Sequence, residues 1–403
     1  MFKNKNEINL ILFFSTIFGI ISIYYFGDSY LDNEWGNMLS ILERENILSI
    51  RRVQGEYVPN IFMPPFYPLF LFVLKKFLFG HDILLITLQF IQLFLFLLAI
   101  IVFNKTLASL FSRNLSSFGT LIFAFYPLNI YSVGQTSSVT IQVFFITCIF
   151  YSFIKIYETY SFKNIVFFSI SSGLLMLLRG EFFLFYFLSL AYLFLKSKNY
   201  KTVILSVLIT LLTVSPYLWR NYKVFDLITI TKSSGFNLLK GNNPLSIVEG
   251  TPLSAEAYEI MDAVPGLEDE INNLGPTKDY DLIIDKIFLH KALDFIEKDP
   301  KRYIALYGKK FLSFAFIDIT STYPNYYSFL HIIPKIILSI TTLLSIILLF
   351  RFQINITNFF ILYYISNIGL FSFFFILPRY SLSLLPVQII LSILLIKKTR
   401  FLK

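Results

Sequence analysis

Apolar runs of about 18 residues or more recur along the chain, parted by short basic or aromatic-polar links. A run of that length crosses the roughly 30 Å hydrocarbon layer as an α-helix. The pattern predicts ten crossings, over 8–26, 82–103, 116–133, 137–155, 162–178, 182–196, 202–219, 329–350, 357–377 and 382–396. The runs are continuous rather than alternating, which argues against a β-barrel. An all-α polytopic membrane protein follows, with 1–403 as a single transmembrane domain. The first run trails Lys3 and Lys5 and has no small-residue cleavage site after it, so it reads as an uncleaved anchor.

Two stretches break the apolar pattern. Residues 27–81 form a first outer loop with interfacial helices, and 220–328 form a long outer loop. In the first, 64–79 is a short apolar stretch opened by Pro64 and Pro65 and interrupted by Lys75 and Lys76. It reads as a re-entrant or interfacial helix rather than a span. In the second, 249–299 is acidic, and Asp279 to Lys298 reads as a helix stopped by Pro300. Its apolar face is predicted to be Ile283, Ile287, Ala292 and Phe295. Residues 301–317 read as an amphipathic interfacial segment. Gly173 and the 215–219 stretch around Pro216 read as helix interruptions, but not as a matched pair.

Charge orients the spans. With the N-terminus in the cytoplasm, the inner segments hold Lys3, Lys5, Lys105, Arg113, Lys155, Lys163, Lys196, Lys198, Lys201, Arg351, Lys397, Lys398, Arg400 and Lys403, against Glu7 and Glu158. This is the positive-inside bias. It predicts a multi-pass protein of the cell (inner) membrane with both termini cytoplasmic. The N-x-S/T triplets at Asn104, Asn114 and Asn355 then fall inside and read as chance matches.

Composition narrows the class further. The chain is 56% hydrophobic and 15% charged, with 48 Phe and 25 Tyr. Soluble domains carry about a quarter charged residues, so a soluble enzyme, a disordered chain, a coiled coil and a disulfide scaffold are excluded. The net charge of +9 fits basic loops facing anionic lipid, not a nucleic-acid partner. Cys148 is the single cysteine, and His81, His290 and His331 show no ligand spacing, so no disulfide or thiolate metal cluster is expected.

Ionisable residues gather at the outer ends of spans: Asp28, Asp32 and Glu34 after the first, Arg179 and Glu181 after the fifth, Arg220 after the seventh, Arg379 before the last. A carboxylate there can take a proton from an acceptor. Arginine forks fit phosphate or pyrophosphate. The plainer readings are a solvated carboxylate and an arginine that snorkels to headgroups. Of the three first-loop acids, Asp28 follows Gly27 at the membrane exit and reads as a terminator of the first span. Glu34 leaves a helix starting near Asp32 on another face. Asp32, at the start of that helix, reads as an N-cap or as a carboxylate whose charged form the helix dipole favours.

Several strings in order resemble the GT-C membrane glycosyltransferases, in particular bacterial relatives of the dolichyl-phosphate-mannose protein mannosyltransferases. They are Asp32-Asn33-Glu34-Trp35-Gly36-Asn37-Met38-Leu39, Pro64-Pro65-Phe66-Tyr67-Pro68 running to Phe79-Gly80, and Ala124-Phe125-Tyr126-Pro127. Gly173-Leu174 to Arg179-Gly180-Glu181 comes next. Then come Pro216 to Arg220-Asn221-Tyr222, Asn237-Leu238 to Gly241-Asn242-Asn243-Pro244, Ala292 to Pro300, and Arg379-Tyr380. Many relatives carry Ser-Glu in the second outer loop. Residues 131–138 hold no acid here, so Gln135, a serine, or a first-loop acid such as Glu56 would take its place.

The resemblance implies transfer of a sugar from a polyprenyl-phosphate donor to a lipid, protein or polysaccharide acceptor at the extracytoplasmic face, within a bed of membrane lipids. It implies a first-loop Asp as general base, which is expected to be Asp32, with Asp28 and Glu34 as the competing acids. Arg220, Arg379 and Arg179 are the expected phosphate ligands. Glu56, Tyr67, Asn221, Tyr222, Asn242, Asn243 and Tyr380 are the expected substrate contacts. No cofactor is expected; a divalent metal on Asp32 and Glu34 is disfavoured because i and i+2 side chains diverge on a helix. The alternative is a lipid-linked saccharide transporter or flippase, which would place charges mid-span or pair broken helices.

Overall fold

In the computed structural model the described residues are 2–77, 81–250, 260–318, 321, 328–351 and 353–400. Phe79 and Gly80 of the proline-led motif lie outside them. The first half runs α1 (Phe2–Phe26), α2 (Glu34–Glu45), a two-stranded hairpin β1 (Arg52–Val53) and β2 (Glu56–Tyr57), α3 (Phe66–Phe77), α4 (His81–Leu110), α5 (Arg113–Ala124), α6 (Pro127–Val133), α7 (Val139–Glu158), α8 (Phe162–Leu178), α9 (Phe183–Ser197) and α10 (Tyr200–Phe225). The second half runs α11 (Ser234–Gly241), α12 (Ile260–Ala263), α13 (Leu267–Asn272), α14 (Tyr280–Lys298), α15 (Pro300–Ala315), α16 (Phe329–Leu349), α17 (Ile356–Ser372) and α18 (Leu385–Arg400). The chain is a multi-pass membrane protein. Among the described residues six helices are long and apolar enough to cross a bilayer: the apolar stretches of α1, α4, α7, α10 and α16, and the 180–197 stretch that contains α9.

α7 stands in the middle, against α4 and α8. Its apolar window is 78% buried, against 22% for α1. α1 turns Phe13, Phe14 and Phe18 outward, and α16 turns Ile337, Ile340 and Ile347 outward. Apolar surface of this kind needs lipid, not water. The two ends of the bundle are polar. At one, Arg113 meets Glu7 at 2.6 Å and Lys397 donates to the Leu110 carbonyl. At the other stand α2, α3 and the long loop, which shares a small core with the hairpin of the first outer loop: Val53, Val58, Leu267, Ile284 and Phe288.

Several expected boundaries shift. The span at 116–133 is two helices, because Pro127 opens a new one and α5 stops at Ala124. The span at 357–377 ends at Ser372, and the last helix starts at Leu385 after a 3-10 turn over Pro378–Ser383. Neither Gly173 nor Pro216 interrupts its helix. α3 has 12 residues, a rise of roughly 18 Å, too short for the hydrocarbon layer.

α14 begins and ends where its sequence pattern predicts, with Pro300 opening α15. Its buried face differs. Ile283 is exposed, while Asp281, Ile284, Asp285, Phe288 and Ala292 are buried. The two carboxylates belong to the inner face because each accepts a hydrogen bond from a distant backbone N–H: Asp281 from Ile61 at 3.1 Å, Asp285 from Phe236 at 3.1 Å. A hydropathy pattern assigns acids to water, so this face was invisible to it.

Candidate active site

At the end that carries α2, a cavity of about 150 Å³ opens between the exit of α1, the 131–137 turn and the 3-10 turn before α18. Its polar lining is Asp28, Asn33, Tyr131, Gln135, Ser137 and Arg379, together with Ser132 and Thr136. The backbones that carry these groups meet very closely. A Cβ on Gly134 would lie 3.1 Å from the Gly27 Cα. That approach lets Asp28 N donate to Gly134 O at 3.0 Å. Two buried glutamines on α4 complete the clamp. Gln89 Nε2 donates to Asp28 O and Gly134 O, and Gln92 Nε2 donates to Val133 O and Gln135 O. Polar side chains inside an apolar helix are expensive; here they tie down the walls of the cavity. Sequence reasoning passed over both, although two glutamines three apart within an apolar run were the available signal.

The Asp28 carboxylate is half-held. Its Oδ2 accepts from Thr136 N at 2.6 Å and from Thr136 Oγ1 at 2.7 Å. Its Oδ1 has no hydrogen bond among the described residues. Arg379 is exposed to the cavity, with no hydrogen bond or ion pair among the described residues. The Arg179 guanidinium lies 5.4 Å from the ring of Tyr380, the residue after Arg379, and 3.8 Å from Glu181. Tyr67 is buried against Trp35, ring centroids 5.3 Å apart. Burial first, and the charge of Asp28 second, hold its phenol well above the ordinary range.

The other expected site residues lie elsewhere. The helix starts at Glu34, with Asn33 as its cap: Asn33 Oδ1 accepts from Trp35 N at 3.1 Å and Gly36 N at 3.3 Å. Asp32 and Glu34 are exposed and line no part of the cavity. Glu56 is exposed on the hairpin. Arg220 donates to Asn60 O at 2.7 Å and Asn221 Oδ1 at 2.8 Å, tying α10 to the first outer loop. Asn221 in turn holds Thr229 O and Ile230 O. Tyr222 is 44% exposed, packed on Trp219.

Asn242 and Asn243 are buried inside the long loop. Asn242 donates to Leu238 O and Phe373 O, both at 2.8 Å, and accepts from Lys310 Nζ. Asn243 donates to Leu239 O and accepts from Leu245 N, both at 2.9 Å.

A divalent cation in the cavity would meet one carboxylate, Asp28, and amide or hydroxyl oxygens. Among the described residues no three His, Cys, Asp or Glu side chains gather to hold a metal. That donor set does not make a dedicated metal cage.

No protein-family model matches the chain, and no curated protein matches it in sequence. Solved structures do match in fold. The oligosaccharyltransferase of Archaeoglobus fulgidus, tethered to an acceptor peptide with the NVT sequon, aligns with a TM-score of 0.56 at 15% identity, over 97% of this chain and 49% of that one. The same archaeal enzyme, AglB, in complex with an inhibitory peptide and a dolichol-phosphate, aligns at 0.56 and 12%, over 97% and 50%. Its complex with Zn and sulfate aligns at 0.52 and 14%, over 97% and 50%. The chain thus spans about half the length of the structures it matches. The likeness is one of fold: a GT-C-type helical bundle.

Proposed function

We propose that the chain is an integral-membrane glycosyltransferase that moves a sugar from a polyprenyl-phosphate-linked donor to an acceptor at the extracytoplasmic face, with Asp28 as general base. The observation that carries this reading is the meeting of Asp28 and Arg379 in one cavity. An acceptor O–H or N–H attacks the anomeric carbon and gives its proton to Asp28 Oδ1. The bond from that carbon to the phosphate oxygen breaks, and the charge that develops on the phosphate is met by the Arg379 fork. Thr136 fixes the carboxylate through its other oxygen, so little reorganisation is needed. The donor brings its own leaving group, so a soluble nucleotide-binding domain is unnecessary.

The archaeal structures, with their acceptor peptide and dolichol-phosphate, support a lipid-linked donor by likeness of fold. The acid is Asp28 in this reading rather than Asp32, because Asp28 lines the cavity with Arg379 and the exposed Asp32 does not. The test incubates purified protein with a panel of labelled polyprenyl-phosphate sugars and scores transfer or hydrolysis. Turnover of at least one donor is expected. Transport of lipid-linked sugar across a vesicle wall without any bond cleavage would replace this reading with a flippase.

A further inference from the structure

Asn33 stands between two exposed acids, Asp32 and Glu34, and itself lines the Asp28 cavity. Its side chain has two duties. Oδ1 accepts from Trp35 N and Gly36 N, which caps α2. Nδ2 donates to Thr136 O at 3.2 Å and to Thr136 Oγ1 at 3.3 Å, across 103 residues. The amide has one workable orientation, because turned over it would aim its NH2 at the two backbone donors. The chain before the helix folds back tightly, and a Cβ on Gly36 would run into Leu31 O. That turn brings Asn33 and Asp28 onto the same threonine.

A hydroxyl carries one proton. Because Thr136 Oγ1 accepts from Asn33, its own proton is left for Asp28 Oδ2 at 2.7 Å. Without the amide, the hydroxyl is free to turn toward another acceptor, and the carboxylate keeps only Thr136 N as a fixed donor. Capping alone does not call for asparagine, since Asp and Ser cap a helix about as well. Neither replaces the donor: a carboxylate only accepts, and the serine side chain is one atom shorter.

We infer that Asn33 is a positioning residue for the transfer reaction, which through Thr136 aims the Asp28 carboxylate so that Oδ1 meets the acceptor. This rests on the reading of Asp28 as general base.

The experiment measures transfer from the labelled polyprenyl-phosphate sugar that wild type turns over best, in Asn33→Ser, Thr136→Val, the double variant and Asp28→Asn, with a thermal melt of each. Asn33→Ser keeps the cap and drops the donor. Its kcat should fall about ten- to a hundredfold, with donor KM and Tm close to wild type. Thr136→Val should fall at least as far, and Thr136→Ser should restore transfer. The double variant should lose no more than Thr136→Val alone, because the amide acts through the hydroxyl. If Asn33→Ser does not fold, Asn33→Thr, also a neutral cap without the donor, carries the same expectation. Wild-type kcat in the cap-keeping variant leaves Asn33 a helix cap only and overturns the assignment. A raised donor KM at unchanged kcat, or additive losses in the double variant, overturns it as well. Full transfer by Asp28→Asn, or no turnover of any donor by wild type, instead removes the base reading and this assignment with it.

Discussion

The Asp28 cavity and the knot around Asn243 use similar side chains in opposite ways. In the cavity, Asp28 Oδ1 and the Arg379 guanidinium have no protein partner among the described residues, and both face open space. In the knot, Lys310 Nζ donates to Gly241 O at 2.7 Å, and the amides of Asn242 and Asn243 each donate and accept inside the protein. Buried polar groups are normally satisfied, so a satisfied cluster needs no ligand to explain it. The knot locks α11 to α15 and to the chain after α17. The Arg220 clamp does the same for the first outer loop. Motif residues thus divide into those whose groups face the open cavity and those that hold the walls, and hydrogen-bond satisfaction draws the line.

Substitutions on the two sides of that line should separate cleanly. In the cavity, Arg379→Lys keeps the charge and removes the bidentate fork. Loss of one charge-assisted hydrogen bond predicts roughly a 10–100-fold fall in kcat/KM at unchanged Tm. Steady-state kinetics with a saturating acceptor check it, and unaltered kinetics would reduce Arg379 to a headgroup contact. In the knot, Asn243→Ala removes one donor from Leu239 O and strands Leu245 N. About 1–3 kcal/mol of stability should be lost, while the folded fraction keeps its kcat. A thermal melt beside an active-site titration tells the two apart.

The smallest expected effect is a pH slope. Burial lowers the Lys310 ammonium to about 7, well below its ordinary range. Between pH 7 and 9 the unfolded chain therefore holds a proton at this site that the folded chain does not. Stability should rise with pH over that interval, by at most about 1.4 kcal/mol per unit, and be lost as pH falls through 7. Lys310→Met should flatten the slope. Chemical denaturation at pH 7, 8 and 9 reads it, and a slope unchanged in the variant would place the titrating group elsewhere.

Much of the fold was legible because lipid imposes long apolar runs, and helix signals such as Asp279, Lys298 and Pro300 act locally. Arg379, Arg179 and Tyr380 were legible as motif residues at helix ends. What could not be read is what depends on distant pairing. Asp28 meets Thr136 across 108 residues, whereas its neighbour Asp32 carries the stronger local pattern and faces solvent. The amide of Asn242 likewise reaches Phe373 O across 131 residues. The buried charges of Asp281, Asp285, Lys310 and Lys335 contradict a hydropathy reading, because each is placed by a tertiary contact.

The central claim is that Asp28, and not Asp32, takes the acceptor proton. The direct test is sugar transfer from the best polyprenyl-phosphate donor by wild type, Asp28→Asn and Asp32→Asn, each at matched folded concentration. Asp28→Asn should lose about 10²–10⁴ in turnover with its Tm unchanged, and Asp32→Asn should transfer at close to the wild-type rate. A dead Asp32→Asn beside an active Asp28→Asn would contradict the account.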